Sequence, residues 1–318
     1  MKSAAENKTS FPVVDVNDLI IEFDTPDGRK RVVDQVSFSV HPGEVLGILG
    51  ESGSGKTMST QAILGLVDGY PGVMGGTIQL NYQGEHFSLL NGLVDAQYTR
   101  RGQVEKRERV WKKSLKRQLQ PLWGRAVTAI FQNPRRSLDP LMTVGQQVGE
   151  SILSRHRNES SKPSPDQVKS ETLEWLTRVK MVNPVRVLDS YPHELSGGMC
   201  QRAMIAVALA CKPSLLIADE PTTGLDATVR AQVVSLLQEL INAEQCAMLY
   251  ITHDIREMLY LADRIIVMRH GRVLERTTPA LLRSQEGAQD PYTQMLLEAA
   301  GLMGQVEHTI QREEMSHG

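Results

Sequence analysis

The chain has 318 residues, of which 41% are hydrophobic and 23% are charged, and its formal net charge is −2. These proportions are ordinary for globular proteins. They exclude a wholly disordered chain, and the near-neutral charge gives no overall bias toward nucleic acid or a membrane. The longest unbroken apolar run is residues 203–211. A membrane-spanning helix needs about 20 such residues, so no transmembrane helix is expected.

The first half of the sequence predicts several strands, one helix and an irregular segment. Residues 1–12 are polar and aperiodic, without the apolar stretch of a secretory signal, so a disordered tail is expected. The three cysteines form no CxxC pair, which indicates reduced thiols rather than a metal cluster or a disulfide framework. In chain order the patterns predict short strands broken at 25–28 within 13–40, a strand at 44–49, a helix at 56–66, a hairpin edge at 72–82, an irregular basic segment at 84–125 and a strand at 126–131.

The second half of the chain is helical at first and then alternates between strands and helices. A mostly helical stretch covers 137–210, with a polar loop at 154–166. The patterns then predict a strand at 215–218, a helix at 227–243, a strand at 247–252, a helix at 256–262 and strands at 264–268 and 272–276. Short apolar strands alternating with helices indicate a mainly parallel α/β sheet, and no internal repeat is present.

A phosphate-binding pattern lies between the strand at 44–49 and the helix at 56–66. Eight residues match G-x-x-x-x-G-K-[ST] at every specified position: Gly50, Glu51, Ser52, Gly53, Ser54, Gly55, Lys56 and Thr57. Glycines let the backbone N–H groups approach phosphates, and the helix N-terminus adds positive potential. The Lys56 ammonium can bind the β- and γ-phosphates, while the Thr57 hydroxyl can be a ligand of Mg²⁺. The segment therefore predicts a nucleoside triphosphate site.

Two carboxylates end the strand predicted at 215–218. Ligands of open α/β sheets lie at the carboxyl ends of the strands, so Asp219 and Glu220 are expected beside the phosphate loop. Asp219 is placed to hold Mg²⁺, directly or through water, and Glu220 to orient or deprotonate an attacking water. Taken alone, the pair could also be a strand leaving toward solvent before Pro221.

A serine and two glycines open an apolar helix between these two motifs. The segment resembles the LSGGQ signature of ATP-binding cassette (ABC) ATPases, with Met199 in place of the usual glutamine, and its residues are Leu195, Ser196, Gly197, Gly198 and Met199. The resemblance implies that this signature binds the γ-phosphate of ATP held by a facing subunit. It also implies a P-loop NTPase (RecA-like) α/β core with an antiparallel β subdomain and an α-helical subdomain.

Other motifs of these ATPases follow in the family's order. Gln132 resembles the glutamine of the Q-loop, which contacts Mg²⁺ and senses the membrane partner. Asp226, in Gly-Leu-Asp, resembles the D-loop that crosses the dimer interface, and His253 resembles the histidine that contacts the γ-phosphate. The family also has an aromatic residue that stacks on adenine. Phe23 is the candidate here, and a place in the core of the first strand is the alternative.

Within this superfamily, four stretches resemble ATPase subunits of dipeptide, oligopeptide and nickel importers. They are residues 22–28, 130–140, 191–199 and 291–297. The resemblance implies a nucleotide-binding domain over 13–276, with a helical subdomain at about 137–210 and a C-terminal extension at 277–318. It also implies ATP and Mg²⁺ as cofactors and a peripheral location on the cytoplasmic face of the inner membrane. The implied partners are a second ABC ATPase subunit, the same or paralogous, two transmembrane permease subunits and a solute-binding protein, with no nucleic acid.

The basic segment at 84–125 is longer than such cassettes require. Residues 100–125 hold ten Lys or Arg and two acidic residues. Trp111, Leu115 and Leu119 have helical spacing, which predicts an amphipathic basic helix. A solvated surface insertion, contact with anionic lipid and contact with nucleic acid are the three interpretations.

Two other classes of ABC protein compete with an importer subunit. Soluble cassette proteins of translation or DNA repair typically fuse two cassettes or insert a long coiled coil, and neither pattern is present in this sequence. A cassette subunit of a soluble enzyme assembly, such as the carbon–phosphorus lyase complex, has a similar length and resembles the same subfamily. The sequence does not separate it from the importer.

Overall fold

The computed structural model describes residues 11–90, 97–98, 104–105, 113, 116–157, 161–284 and 287–302. Their strands are β1 Val14–Thr25, β2 Gly28–Val40, β3 Val45–Leu49, β4 Pro71–Tyr82, β5 Glu85–Ser88, β6 Gln97–Tyr98, β7 Val104–Glu105, β8 Val127–Ile130, β9 Leu215–Asp219, β10 Ala247–Thr252, β11 Arg264–Arg269 and β12 Arg272–Thr277. Their α-helices are α1 Lys56–Leu64, α2 Pro134–Ser137, α3 Val144–Arg155, α4 Pro165–Arg178, α5 Pro184–Leu188, α6 Gly197–Ala210, α7 Ala227–Glu244, α8 Ile255–Leu261, α9 Pro279–Arg283 and α10 Pro291–Ala299.

The central sheet has the order β12-β11-β3-β10-β9-β8 and is parallel except for β12 at its edge. The strands β3 and β10 are wholly buried, as expected for strands covered on both faces. The carboxyl ends of β3, β8, β9 and β10 therefore meet at one edge of the sheet. The phosphate loop and the acidic strand end both lie at that edge.

A second sheet, with the order β2-β1-β4-β5, is antiparallel. The short strands expected over 13–40 are instead two long ones, of 12 and 13 residues. Register shifts after Val16, Leu19 and Ile21 interrupt the alternation of β1, which is why its sequence looks broken. Residues 85–88 also correct an expectation, because they pair with β4 instead of being irregular.

Two apolar clusters hold these layers together. One joins a face of the central sheet to α3, α4, α6, α7 and α8, and the other joins the opposite face to α1 and the antiparallel sheet. The helices of residues 137–210 form a separate layer, and two of them begin with capping boxes at Thr143 and Ser164. The fold is the expected α/β core with an antiparallel β subdomain and a helical subdomain.

The basic segment is only partly described. Residues 116–119 are helical, and Leu119 and Leu122 are buried in the apolar cluster that includes α1. Trp111 and Leu115 lie outside the described residues, so the amphipathic helix stays a prediction for that part. In the ranges that the structure describes, no helix is long and apolar enough to cross a membrane.

Candidate functional site

Three glycines of the phosphate loop have positive φ, and two of them, Gly50 and Gly55, also lie against neighbouring backbone. A Cβ on Gly50 (φ 156°) would lie 2.2 Å from the Met268 carbonyl oxygen, and one on Gly55 (φ 98°) would lie 2.6 Å from the Val32 carbonyl oxygen. Any other residue would collide with backbone at both places. The loop therefore packs closely against the backbones of β11 and β2. Gly55 directly precedes the first turn of α1.

The side chain of Lys56 folds back over this loop. It is 4% exposed, and its Nζ donates to the Gly50 carbonyl oxygen at 2.6 Å and to the Glu51 carbonyl oxygen at 2.8 Å. Burial lowers the pKa of Lys56, while the nearby carboxylates of Glu220 and Asp219 oppose that shift. A buried ammonium bound to neutral carbonyl and hydroxyl oxygens would gain from a phosphate, because hydrogen bonds to an ionised partner are about twice as strong as those between neutral groups.

Thr57 and Asp219 bring two oxygen atoms together beside Lys56. The Thr57 hydroxyl donates to Asp219 Oδ1 at 3.2 Å. Burial raises the pKa of Asp219, and the Thr57 hydrogen bond works in the opposite direction. A hydroxyl and a carboxylate are the hard oxygen ligands that Mg²⁺ prefers, and Mg²⁺ in NTPases takes its other ligands from phosphate and water. The donor set therefore fits Mg²⁺ bound together with a nucleotide.

Glu220 is the centre of the hydrogen bonds at this sheet edge. Its Oε2 accepts from Gln132 Nε2 at 3.2 Å and from the Thr223 hydroxyl at 2.9 Å, and its Oε1 lies 3.2 Å from His253 Nδ1. The structure thus brings together three predicted residues that come from the ends of β8, β9 and β10. Thr223 was not predicted, because nothing in the sequence distinguishes its hydroxyl from that of Thr222.

The backbone of Glu220 is held in the left-handed region, at φ 47°. Such a conformation costs a non-glycine residue about 1 kcal/mol or more, and it is tolerated where the surroundings fix it. Here the Glu220 N–H donates to the Ile251 carbonyl oxygen at 2.9 Å. The carboxylate is therefore fixed by its backbone as well as by its partners, and the freely exposed member of the group is His253, at 60%.

Behind Glu220 lies a group of polar residues, which we call the Glu257 network: the buried Tyr250, Thr222 and Glu257 and the partly exposed Arg230. The Tyr250 hydroxyl donates to Glu257 Oε2 at 2.7 Å, and the Thr222 hydroxyl donates to Glu257 Oε1 at 2.8 Å. The Arg230 guanidinium lies 3.9 Å from Glu257. Burial, followed by the Glu257 charge, raises the pKa of Tyr250 well above its usual range. The network joins β10, α7 and α8 to the turn that follows Glu220.

The signature residues open α6. The Ser196 hydroxyl caps the helix by accepting from the Met199 N–H at 3.3 Å, and the Leu195 carbonyl oxygen accepts from Arg135 at 3.1 Å. A Cβ on Gly198 would lie 3.0 Å from Val229, in the first turn of α7, whereas one on Gly197 would meet nothing within 4 Å. The signature therefore packs against the start of α7, which Asp226 caps, and the space above Gly197 is open.

Asp226 has a local structural role in this chain. Its carboxylate caps α7 by accepting from the N–H groups of Thr228 and Val229. In the ranges that the structure describes, the side-chain hydrogen bonds of Ser196 and Asp226 stay within their own helix starts. The participation of both residues in a facing subunit's site stays a prediction.

Phe23 is partly buried in the antiparallel sheet. Its ring packs over Gly69, where a Cβ would lie 2.8 Å away, and its backbone pairs with Pro71 across the sheet. The ring also packs against the apolar cluster of that sheet. Stacking on adenine stays a prediction.

The helix α10 contacts the phosphate loop, and the sequence did not predict this contact. The Tyr292 hydroxyl accepts from the Glu51 N–H at 3.0 Å, and the Arg269 guanidinium lies 4.6 Å from the Tyr292 ring centroid. Tyr292 and Leu297 are buried in the same apolar cluster as the helical layer. The only signal was the resemblance of residues 291–297 to the importer ATPases.

Comparisons with known proteins agree with this architecture. Residues 33–223 match the family model described as ABC transporter. The dipeptide transport ATP-binding protein DppD of Escherichia coli (strain K12) is 41% identical over 289 residues, covering 90% of this chain and 78% of that protein. The oligopeptide transport ATP-binding protein OppD of Salmonella typhimurium (strain LT2) is 38% identical over 278 residues, covering 86% and 73%.

Solved structures share the fold. The dimeric ATP-binding cassette MJ0796, bound to ADP and Pi, superposes with a TM-score of 0.62 at 22% sequence identity, covering 84% of this chain and 98% of that one. The cassette cbiO1 of Clostridium perfringens, part of the transporter complex cbiONQ, superposes with a TM-score of 0.63 at 23% identity, covering 87% and 92%.

Proposed function

Since the chain belongs to the ABC transporter family and is an ATPase, we propose that it powers the import of a peptide or another small solute through separate transmembrane subunits. The named relatives are ATP-binding proteins of dipeptide and oligopeptide transport, and the similarity covers most of both chains. This supports a peripheral place on the cytoplasmic face of the inner membrane, with two permease subunits and a solute-binding protein as partners.

The observation that carries the proposal is the position of Glu220. Gln132 and Thr223 donate to its carboxylate beside the phosphate loop, and His253 lies next to it, so it can accept a proton from a water bound between it and the γ-phosphate. The loop N–H groups and Lys56 hold the phosphates, and His253 can donate to the γ-phosphate. Thr57, Asp219 and Gln132 would hold Mg²⁺, which when bound neutralises charge on the β- and γ-phosphates.

The second half of the site comes from a facing cassette, either a second copy or a paralogue. Each chain carries one phosphate loop and one signature, and the Ser196 end of α6 leaves an open space above Gly197. A helix N-terminus of this kind binds anions through its free N–H groups. Asp219, Glu220 and Asp226 would repel those of the partner, so closure requires Mg²⁺ and phosphate-binding donors between the two faces.

A groove next to Gln132 supports the docking of a permease subunit. It has a volume of about 490 Å³ and lies between α1, β8 and the helical layer. Three large apolar side chains are partly exposed in it, namely Leu66, Trp123 and Phe131. Phe131 directly precedes Gln132, so a permease segment that moves in the groove would shift a partner of Glu220. We assign this groove, called the permease groove below, to a cytoplasmic segment of the permease.

The proposal is tested by solute uptake in cells that lack the chain. Restoring the wild type should restore uptake of labelled di- and oligopeptides, and Lys56→Ala should not, because the phosphate loop loses its cation. The control is Lys30→Ala, at an exposed position on β2, which should restore uptake fully. Peptide uptake that is the same with wild type, Lys56→Ala or an empty vector would refute peptide import.

A further inference from the structure

A cluster of cations lies outside the ATP site and has no part in the proposed chemistry. It consists of the described cationic residues around one cavity of about 600 Å³, and we call it the basic patch: Lys113, Lys116, Arg117, Arg125 and Arg157. The other described residues that line this cavity are Gln120 and Pro121. No carboxylate is among the described lining residues, so the cavity is a concentrated positive surface on a chain of net charge −2.

The cations of the basic patch are not paired within the described part of the chain. Arg155, two residues before Arg157, forms an ion pair with Glu171 at 2.9 Å, and Lys180 forms one with Glu239. Among the described residues no such ion pair or side-chain hydrogen bond is found for the patch cations, and Arg125 Nε is buried without a partner there. Like charges held together repel each other and raise the local concentration of anions. The patch is therefore suited to an anionic partner.

The patch is fixed to the core of the protein. Leu119 and Leu122, within the same segment, are buried in an apolar cluster. The Trp123 indole N–H donates to the Leu64 carbonyl oxygen at the end of α1, at 3.1 Å. These contacts hold Lys116, Arg117 and Arg125 at a defined place on the surface.

The basic patch borders the permease groove. Trp123 and Gly124 line the groove, and the next residue, Arg125, lines the patch. On α3 and the turn after it, Ser151 lines the groove and Arg157 lines the patch. The two segments touch, because a Cβ on Gly124 would lie 3.1 Å from Ser154 Oγ. A permease subunit in the groove would thus bring the patch close to the bilayer that holds the permease.

We propose that the basic patch binds the anionic head groups of the membrane next to the permease. The inference rests on the proposed function, since the groove defines which side of the protein faces the bilayer. Clusters of Lys and Arg near a membrane surface are attracted to anionic lipids, and the attraction falls off within about 10 Å at 0.1 M salt. Residues 100–112 hold six further Lys or Arg and two acidic residues, so they also add net positive charge to the same segment of the sequence.

The test is cosedimentation of the purified full chain with lipid vesicles. The chain should bind vesicles containing phosphatidylglycerol and not vesicles of phosphatidylcholine, and 0.5 M salt should release it. The triple variant Lys116→Gln/Arg117→Gln/Arg157→Gln should bind on the order of 100-fold more weakly, since each cation contributes roughly a factor of five. The matched control, Lys30→Gln/Lys180→Gln/Arg186→Gln, removes three exposed cations elsewhere and should bind like the wild type.

The outcomes separate this inference from the proposed function. Equal binding to both vesicle types, or equal binding by the two triple variants, would overturn the lipid assignment. Tighter binding of an RNA or DNA oligonucleotide than of anionic vesicles at 0.15 M salt would overturn it in favour of nucleic acid. ATPase activity of both triple variants should match the wild type. Failure of the wild-type chain to bind anionic vesicles, together with peptide uptake that depends on Lys56, would refute the lipid inference alone, whereas peptide uptake that is independent of Lys56 would refute peptide import.

Discussion

Asp219 is a carboxylate that its surroundings make costly to ionise. It is the last residue of β9 and accepts from the Thr57 hydroxyl. Burial raises the pKa of Asp219, and that hydrogen bond lowers it by less. The role we propose for it, holding Mg²⁺, needs the ionised form. The residue therefore serves nucleotide binding at the expense of the stability of the nucleotide-free protein, as functional sites commonly do.

Asp219→Asn should raise the melting temperature of the nucleotide-free protein at pH 7, because it removes the buried charge. A raised pKa means that the folded state binds the proton more tightly than the unfolded state, so the ionised form is the destabilising one. The advantage of the variant should therefore shrink as the pH falls through the raised pKa toward 3.8. Thermal unfolding between pH 4 and 8 measures this.

The control for that series is Asp68→Asn, at an exposed position before β4, which should leave the melting temperature nearly unchanged at every pH. If the Asp219→Asn variant melts below the wild type at pH 7, the account of Asp219 is contradicted. That result would show that the Thr57 hydrogen bond and the nearby Lys56 charge outweigh burial.

At the scale of single residues, the sequence identified most of the polar residues of the candidate site but not all of their hydrogen-bond partners. Glu220 was expected at the sheet edge because it ends a strand, and Gln132 and His253 were named by resemblance to the family's motifs. The three lie together because each follows a strand of one parallel sheet. Thr223 and Tyr292 were not predicted. The hydrogen bond of Thr223 depends on the path of the turn after Glu220, and that of Tyr292 depends on how α10 packs against the phosphate loop. Tyr292 is 241 residues from Glu51 in sequence, and no local pattern encodes that distance.

At the scale of elements, the Glu257 network connects the strand that carries His253 to the turn that carries Thr223. Glu257 accepts one hydroxyl hydrogen bond from β10 and another from the turn after Glu220, and it is 6% exposed. A buried carboxylate requires such donors, because leaving it without partners costs several kcal/mol. The network thus fixes α8 against the sheet edge that carries the candidate site.

Tyr250→Phe should destabilise the protein by about 1–3 kcal/mol, since it leaves one oxygen of a buried carboxylate without a donor. Urea unfolding followed by circular dichroism measures this at pH 7. Tyr260→Phe removes the same hydroxyl from a residue of α8 that is 52% exposed, and it should change stability by less than about 0.5 kcal/mol. Equal effects of the two substitutions would mean that the network does not stabilise the fold.

The elements themselves were predicted unevenly. The buried strands of the parallel sheet were located to within one or two residues, because their short apolar runs are bounded by turns. The antiparallel strands were predicted less accurately. Register shifts in β1 disrupt its alternation of apolar and polar residues, and β5 is short and mostly polar, from Glu85 to Ser88. The helix α10 was not predicted as an element, although residues 291–297 had been singled out by resemblance.

At the scale of the whole molecule, the proposed function gives each chain two half-sites. In that proposal the phosphate loop, Asp219 and Glu220 are one half at the edge of the sheet, and the Ser196 end of α6 is the other in the helical layer. Because Arg135 joins the segment after Gln132 to the signature, a shift at the permease groove can reach both halves. ATP between two cassettes would then couple hydrolysis to the permease.

The central claim is that ATP joins two cassettes and that Glu220 then hydrolyses it. The most direct measurement is the mass of the Glu220→Gln protein by light scattering, with its paralogous subunit present if the transporter uses an unlike pair. This variant keeps the hydrogen-bonding shape of the side chain but loses the base, so it should hydrolyse ATP at least ~100-fold more slowly. We predict a two-cassette mass in ATP and Mg²⁺, which for two copies is twice 35.3 kDa, and single cassettes without nucleotide. Single cassettes in saturating ATP and Mg²⁺, with ATP bound, would contradict the account.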